Sequence, residues 1–213
     1  MKKMFFGLFV AMVATIGFMS SCSKCSHKSD VTPVVSETTK LIDVDKAHMN
    51  LIDGNYSYFE TTFVFAGTVD TLTTPDVVSI SSVFQTVDTA IANPTVYISA
   101  REIATPDSVQ WDVHEGSFWM EDFDLRGYEI KVSLEEAYTQ LQKANCKKPT
   151  SKYCVLRAQL GPKHCNAQYI FGNDVTGLVF VDAITGNVTT VNPAFDAIDM
   201  DKATPMKHET DSI

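Results

Sequence analysis

Four cysteines follow Cys22, and three of them, Cys146, Cys154 and Cys165, fall within twenty residues of one another beside His164. Thiolates and an imidazole are zinc ligands, but zinc sites usually show close pairs of the form C-x₂₋₄-C, and none is present. A thiol nucleophile at Cys165 would need a base and an orienting third group, and adjacent side chains on an extended chain point apart. Pairing is the simpler chemistry. Cys146 ends an expected helix and Cys154 opens the next strand, so a Cys146–Cys154 disulfide is expected. Cys165, about 20 Å or more further along that strand, is left free. A second group is both acidic and aromatic. Trp111, Trp119, Glu121, Asp122 and Asp124 lie in one short stretch with Phe118, Phe123 and Tyr128, a candidate surface for a carbohydrate, a basic peptide or Ca²⁺. No EF-hand spacing supports calcium. Asp112 and Glu121 could serve as a glycosidase pair only if the fold brings them together. Among the recognised catalytic signatures, no nucleophile elbow, phosphate loop, His-Glu-x-x-His or dinucleotide fingerprint occurs, so no catalytic residue, cofactor or metal is assigned. Met200, Met206 and His208 are read as a chance grouping in the tail.

The N-terminus carries its own chemistry. Lys2 and Lys3 precede the uncharged run from Met4 to Met19, which as a helix would span about 24 Å, too short for a hydrocarbon core of about 30 Å. It reads as the core of a signal peptide, 1–21. Met19-Ser20-Ser21-Cys22 resembles a bacterial lipobox, with Met19 in place of the usual Leu. The resemblance implies cleavage before Cys22 and acylation of its thiol, and two or three acyl chains anchor a protein stably to a membrane. Ser23 and Lys24, with no acidic run, imply by the same resemblance an outer-membrane lipoprotein facing the periplasm.

The chain has 213 residues, 45% hydrophobic and 20% charged, with a formal charge of −9. Removing Lys2 and Lys3 leaves 15 basic against 26 acidic side chains, a mature charge of −11. Such a field repels phosphate backbones, so no nucleic-acid partner is expected. Composition excludes a polytopic membrane protein and wholesale disorder.

The elements that must position these residues fall into four parts. Residues 22–40 are a Ser/Thr/Lys-rich flexible tether. Residues 41–126 form a β-rich, sandwich-like region. Phe59, Phe63 and Phe65 alternate in one expected strand, and Val78, Ile80 and Phe84 follow in the next. Val96 and Ile98 and then Val109, Trp111 and Val113 mark two more, with Pro, Gly and Asn turns between them. In 127–192 an expected strand at Tyr128, Ile130 and Val132 leads to Ser133-Leu134-Glu135-Glu136, a capping box. The helix stripe of Leu134, Ala137, Tyr138, Leu141 and Ala144 follows. Strands at 153–160, 168–171 and 178–183 complete the order β-α-β-β-β, and Ile184-Thr185-Gly186-Asn187 turns the chain into 188–191. Residues 193–213 are a polar, acidic tail. The fold class is α+β.

Leu178-Val179-Phe180-Val181-Asp182-Ala183-Ile184-Thr185-Gly186-Asn187-Val188, after the capped helix Leu134-Glu135-Glu136-Ala137, is similar to the PepSY domain of metallopeptidase propeptides and bacterial envelope proteins. Asp182 and Gly186 match its turn, and both read as structural. The resemblance implies a helix on a small antiparallel sheet and a module that inhibits, chaperones or binds proteins and peptides. An envelope lipoprotein that binds a protein or peptide, with peptidase regulation as one form, is therefore expected. The alternatives are a hydrolase of glycans or peptides using the aromatic patch, or a structural subunit of an envelope assembly. Asp70-Thr71-Leu72, Asp88-Thr89-Ala90, Asp107-Ser108-Val109 and Asp211-Ser212-Ile213 are also similar to acceptor motifs of periplasmic O-glycosylation.

Overall fold

Alternating aromatic and small polar residues make the first strand of the sheet, and the second half supplies its neighbour. The computed structural model describes residues 37–88 and 93–195. Along the chain run α1 (Glu37–Ile52), β1 (Tyr56–Phe65), β2 (Val77–Asp88), β3 (Asn93–Glu102), β4 (Gln110–Glu115) and β5 (Asp122–Phe123). A single 3₁₀ turn, Leu125–Gly127, leads to α2 (Leu134–Lys143), β6 (Tyr153–Gln159), β7 (Gln168–Asn173), β8 (Gly177–Asp182) and β9 (Val188–Thr189). All strand pairs are antiparallel, in the order β4-β3-β2-β1-β6-β7-β8-β9, with β5 beside β6. The class is α+β, as expected.

The sheet does not stop at the boundary expected near residue 126. β1 pairs with β6 from Glu60↔Arg157 to Val64↔Tyr153. The four strands of the first half are thus consecutive members of one sheet rather than a sandwich closed on itself. Each half runs helix, then antiparallel meander, and the two leading strands meet at the centre. That order is what an approximate two-fold axis normal to the sheet would produce.

Both helices contribute to the core on one face of this sheet. Phe63, Phe65, Phe84, Phe171, Tyr138, Met49, Leu134 and Leu141 are all buried there. Each such side chain contributes about 1.5–3 kcal/mol by leaving water. Phe65 lies edge-on to Tyr138 at 5.7 Å and stacks on Phe171 at 6.4 Å. α2 forms with the capping box intact: the Ser133 hydroxyl accepts from the Glu136 amide, and Glu136 accepts from the Ser133 amide.

α1 occupies residues read as the end of the tether and the start of the β-rich region. Its buried positions are Thr38, Ile42, Asp45 and Met49, a helical stripe interrupted by an acid. Asp45 is accommodated because Arg101 of β3 reaches it through Nε at 3.1 Å and Nη2 at 2.6 Å, while Ser99 donates to its other oxygen. Thr61, Ser82 and Tyr58 extend this buried polar network beneath the helix. The strand expected at Tyr128–Val132 does not form. The amides of Lys131 and Val132 instead both donate to the Ala183 carbonyl, and Ile130 is exposed. At the other end, Ala194 is fully buried and accepts from the Lys163 amide, so the fold extends past residue 193. The signal peptide, Cys22, most of the tether and residues 196–213 lie outside the described residues.

Candidate functional site

Strand register lays one row of side chains across the face opposite the helices. Asp112 (β4), Ile98 (β3), Val83 (β2), Glu60 (β1), Arg157 (β6), Gln168 (β7) and Asp182 (β8) are successive cross-strand partners. A β-bulge at Phe59 shifts β1 and leaves room beside β6 for β5, which pairs Asp122 with Gln159. The bulge thus admits the acidic segment to the middle of the sheet.

Three carboxyls gather around one guanidinium at that point. Arg157 Nη1 lies 3.8 Å from Glu60 Oε2 and 4.0 Å from Glu121 Oε2, and its Nε is 3.4 Å from Asp122 Oδ1. The Asp122 side chain is wholly buried, and Trp119 Nε1 donates to its Oδ2 at 3.2 Å. Trp119 is fixed in turn by its amide, which donates to Gln85 Oε1 at 2.7 Å, and by packing near Phe59, Val83 and Val96. Burial, and next the adjacent Asp122 charge, push the Glu60 carboxyl up to about 8, so it holds its proton at neutral pH. Burial also raises Asp122, against the opposing pull of Arg157. The oxygen Asp122 Oδ1, Arg157 Nε and Gln159 Oε1 are buried without a hydrogen-bond partner. Arg157 and Gln159 line a groove of about 220 Å³ with Val155, Ile170 and Leu178.

The expected ligand surface is therefore divided. Trp119, Glu121 and Asp122 come together here, joined by Glu60, Arg157 and Gln159, which sequence reasoning missed. Trp111 lies against the helix-side core, 6.0 Å from Phe84 and 6.5 Å from Tyr97. Asp124 caps the 3₁₀ turn, accepting from the amides of Arg126 and Tyr58 and pairing with the Arg126 guanidinium at 2.7 Å. Burial opposes its ionisation, but these bonds outweigh burial and hold Asp124 below the usual carboxylate range. Asp112 stands four strand spacings from Arg157, about 19 Å along the row. It pairs with His114 at 3.1 Å and cannot form a glycosidase pair with Glu121, which needs roughly 5–9.5 Å.

The cysteines also depart from expectation. Cys146, Cys154 and Cys165 are free thiols, and the Cys146–Cys154 bridge is not formed. Cys154 faces the core between Phe63 and Phe171 of the flanking strands, whereas Cys146 lies near Val188 and Thr189 at the other end of its loop. Burial pushes the Cys154 thiol well up, and burial together with Asp182 raises Cys165, the opposite of nucleophile activation. The His164 ring lies tilted against Tyr128, with centroids 5.6 Å apart. Among the described residues, no group of three or more His, Cys, Asp or Glu is arranged to hold a metal ion.

In the β8–β9 turn, Asp182 Oδ1 accepts from the amides of Ile184 and Thr185, and Gly186 takes φ +73°. Burial resists the Asp182 charge, yet the bonds from Thr185, Asn166 and Ile184 hold its carboxyl low. Thr71 and Ser108, two hydroxyls of the glycosylation-like motifs, are exposed in loops, while Thr89 and Ser212 lie outside the described residues. No helix among the described residues is long and apolar enough to cross a membrane.

In comparisons with known proteins, no family model, curated protein or solved structure matches this chain.

Proposed function

We propose that this chain is a membrane-anchored envelope lipoprotein, held through acylated Cys22, whose folded unit binds a protein or peptide partner. A secreted peptidase is the first partner class to test. The observation that carries the reading is the site around Arg157. There, Trp119 and the exposed Phe118 and Met120 border the buried Asp122 carboxyl and Gln159 amide, each with one oxygen that makes no hydrogen bond, on a sheet face opposite the helix-covered core. Buried polar groups left without partners are costly, and a partner's amides and side chains would satisfy them. The capped helix α2 on β8 and the Asp182–Gly186 turn support a PepSY-like reading of 127–192. The lipobox-like residues and the lack of an acidic run after Cys22 support an outer-membrane position facing the periplasm.

The test is affinity capture with the full chain in detergent micelles against solubilised envelope, read by mass spectrometry. One partner enriched in fixed stoichiometry is expected, and no specific enrichment ends the binding-module reading. Cys22→Ser should move the protein to the soluble fraction and remove the acyl mass. A variant that stays in the membrane would end the anchor reading. A hydrolase, the second reading, would now draw on Glu60 and Asp122, two adjacent carboxyls that burial raises, and their proximity is the one feature in its favour. Its mark would be turnover of a glycan or peptide that Asp122→Asn abolishes.

A further inference from the structure

We propose that the carboxyl cluster around Arg157, next to the groove that Arg157 and Gln159 line, seats a cationic side chain of an extended partner peptide. Glu60, Glu121 and Asp122 hold the cation, while Gln159 and Arg157 meet the peptide backbone. The inference rests on the binding-module reading and specifies what that site selects.

Charge and geometry both lead there. Three carboxyls share one guanidinium at 3.4–4.0 Å, so the cluster lacks positive charge. Asp122 Oδ1 and Arg157 Nε, ion-paired with one another at 3.4 Å, and Gln159 Oε1 are buried and make no hydrogen bond. Gln159 is only 8% exposed and lines the groove. An extended peptide brings what is missing: amide N–H groups for the acceptors, a carbonyl for Arg157, and a cation for the carboxyls. In the free protein the missing charge is made up by a proton, because burial and Asp122 keep Glu60 protonated up to about pH 8. A bound guanidinium replaces that proton, so binding releases it to solvent. The groups facing Glu60 are Asp122 and Glu121 from the 119–122 segment and Arg157 from β6, and all belong to the same cluster. The acidic chain, at −9, draws basic segments towards it.

The molecule carries its own reference probe. Trp119 donates to Asp122 at the site, and Trp111, the only other tryptophan, packs on the opposite face. The indole N–H signals of both are followed by NMR in the full-length chain in micelles. The probe is acetyl-Ala-Ala-Arg-Ala-Ala-amide, with Glu in place of Arg as control. The Arg peptide should shift Trp119 saturably and leave Trp111 in place, with affinity rising as pH is raised through about 8. Glu121→Gln, an exposed change that leaves the core intact, and Asp122→Asn should each weaken binding about tenfold. Equal response to the Glu peptide, no response, or indifference to both substitutions overturns the cation seat. So does a Trp119 shift with N-acetylglucosamine oligomers alone, which would assign the groove to glycans. If both charge variants still capture the same envelope partner, the cation seat falls while the binding-module reading stands.

Discussion

Glu60 shows how one side chain carries the pH behaviour of its surroundings. In the unfolded chain a Glu carboxyl ionises near about 4.3. In the fold, burial and Asp122 hold the Glu60 proton up to about 8. Between those values the folded state binds more protons than the unfolded, so stability falls as pH rises through that window and levels above it. Glu60→Gln should flatten this slope, leaving the variant close to wild type near pH 4 and more stable near pH 8. Urea denaturation at both pH values reads this directly, and an unchanged slope would refute it. Arg101 and Asp45 behave in the opposite way, as a paired charge with both side chains fully buried. Removing one partner strands the other, so Arg101→Ala should cost about 3–5 kcal/mol in urea denaturation. Asp45→Leu combined with Arg101→Met should recover much of that. The residues of the site were only partly readable beforehand. Trp119, Glu121 and Asp122 stand out as a local cluster, whereas Glu60 and Arg157 are 97 positions apart and meet only through strand register.

Elements were legible where one signal decides them. The alternation in β1 and β6 and the capping box of α2 needed no tertiary information. α1 hid because its inner stripe contains Asp45, an acid whose partner lies 56 residues away. The Tyr128–Val132 segment misled in the opposite sense. Its alternation reflects Tyr128 and Val132 packing against the core, while its amides turn towards Ala183 instead of pairing along a neighbour. At this scale Ser133→Ala removes the cap of α2 and should lower stability by about 1 kcal/mol, measured by thermal melts. Gly172→Ala should cost more. Gly172 takes φ +99° on β7, and a Cβ there would strike the Gly177 carbonyl and Pro149.

Across the whole molecule, the continuous sheet removes the boundary that composition suggested. With β1 paired to β6, neither half keeps both its neighbours if the other is lost. A single calorimetric transition is therefore expected, with matching van't Hoff and calorimetric enthalpies, and two resolved transitions would contradict it. This continuity could not be read from the sequence, because pairing between the leading strands of two halves leaves no local periodicity.

The position of the Asp45–Arg101 pair has a mechanical consequence. Any tension carried along the chain from its N-terminal side enters the described fold at α1, and that helix is pinned to β3 by this buried contact. Under load the pair is a latch: while it holds, the strands behind it feel little of the pull, and once it opens, α1 can peel away as a slack-yielding spring before the sheet itself is strained.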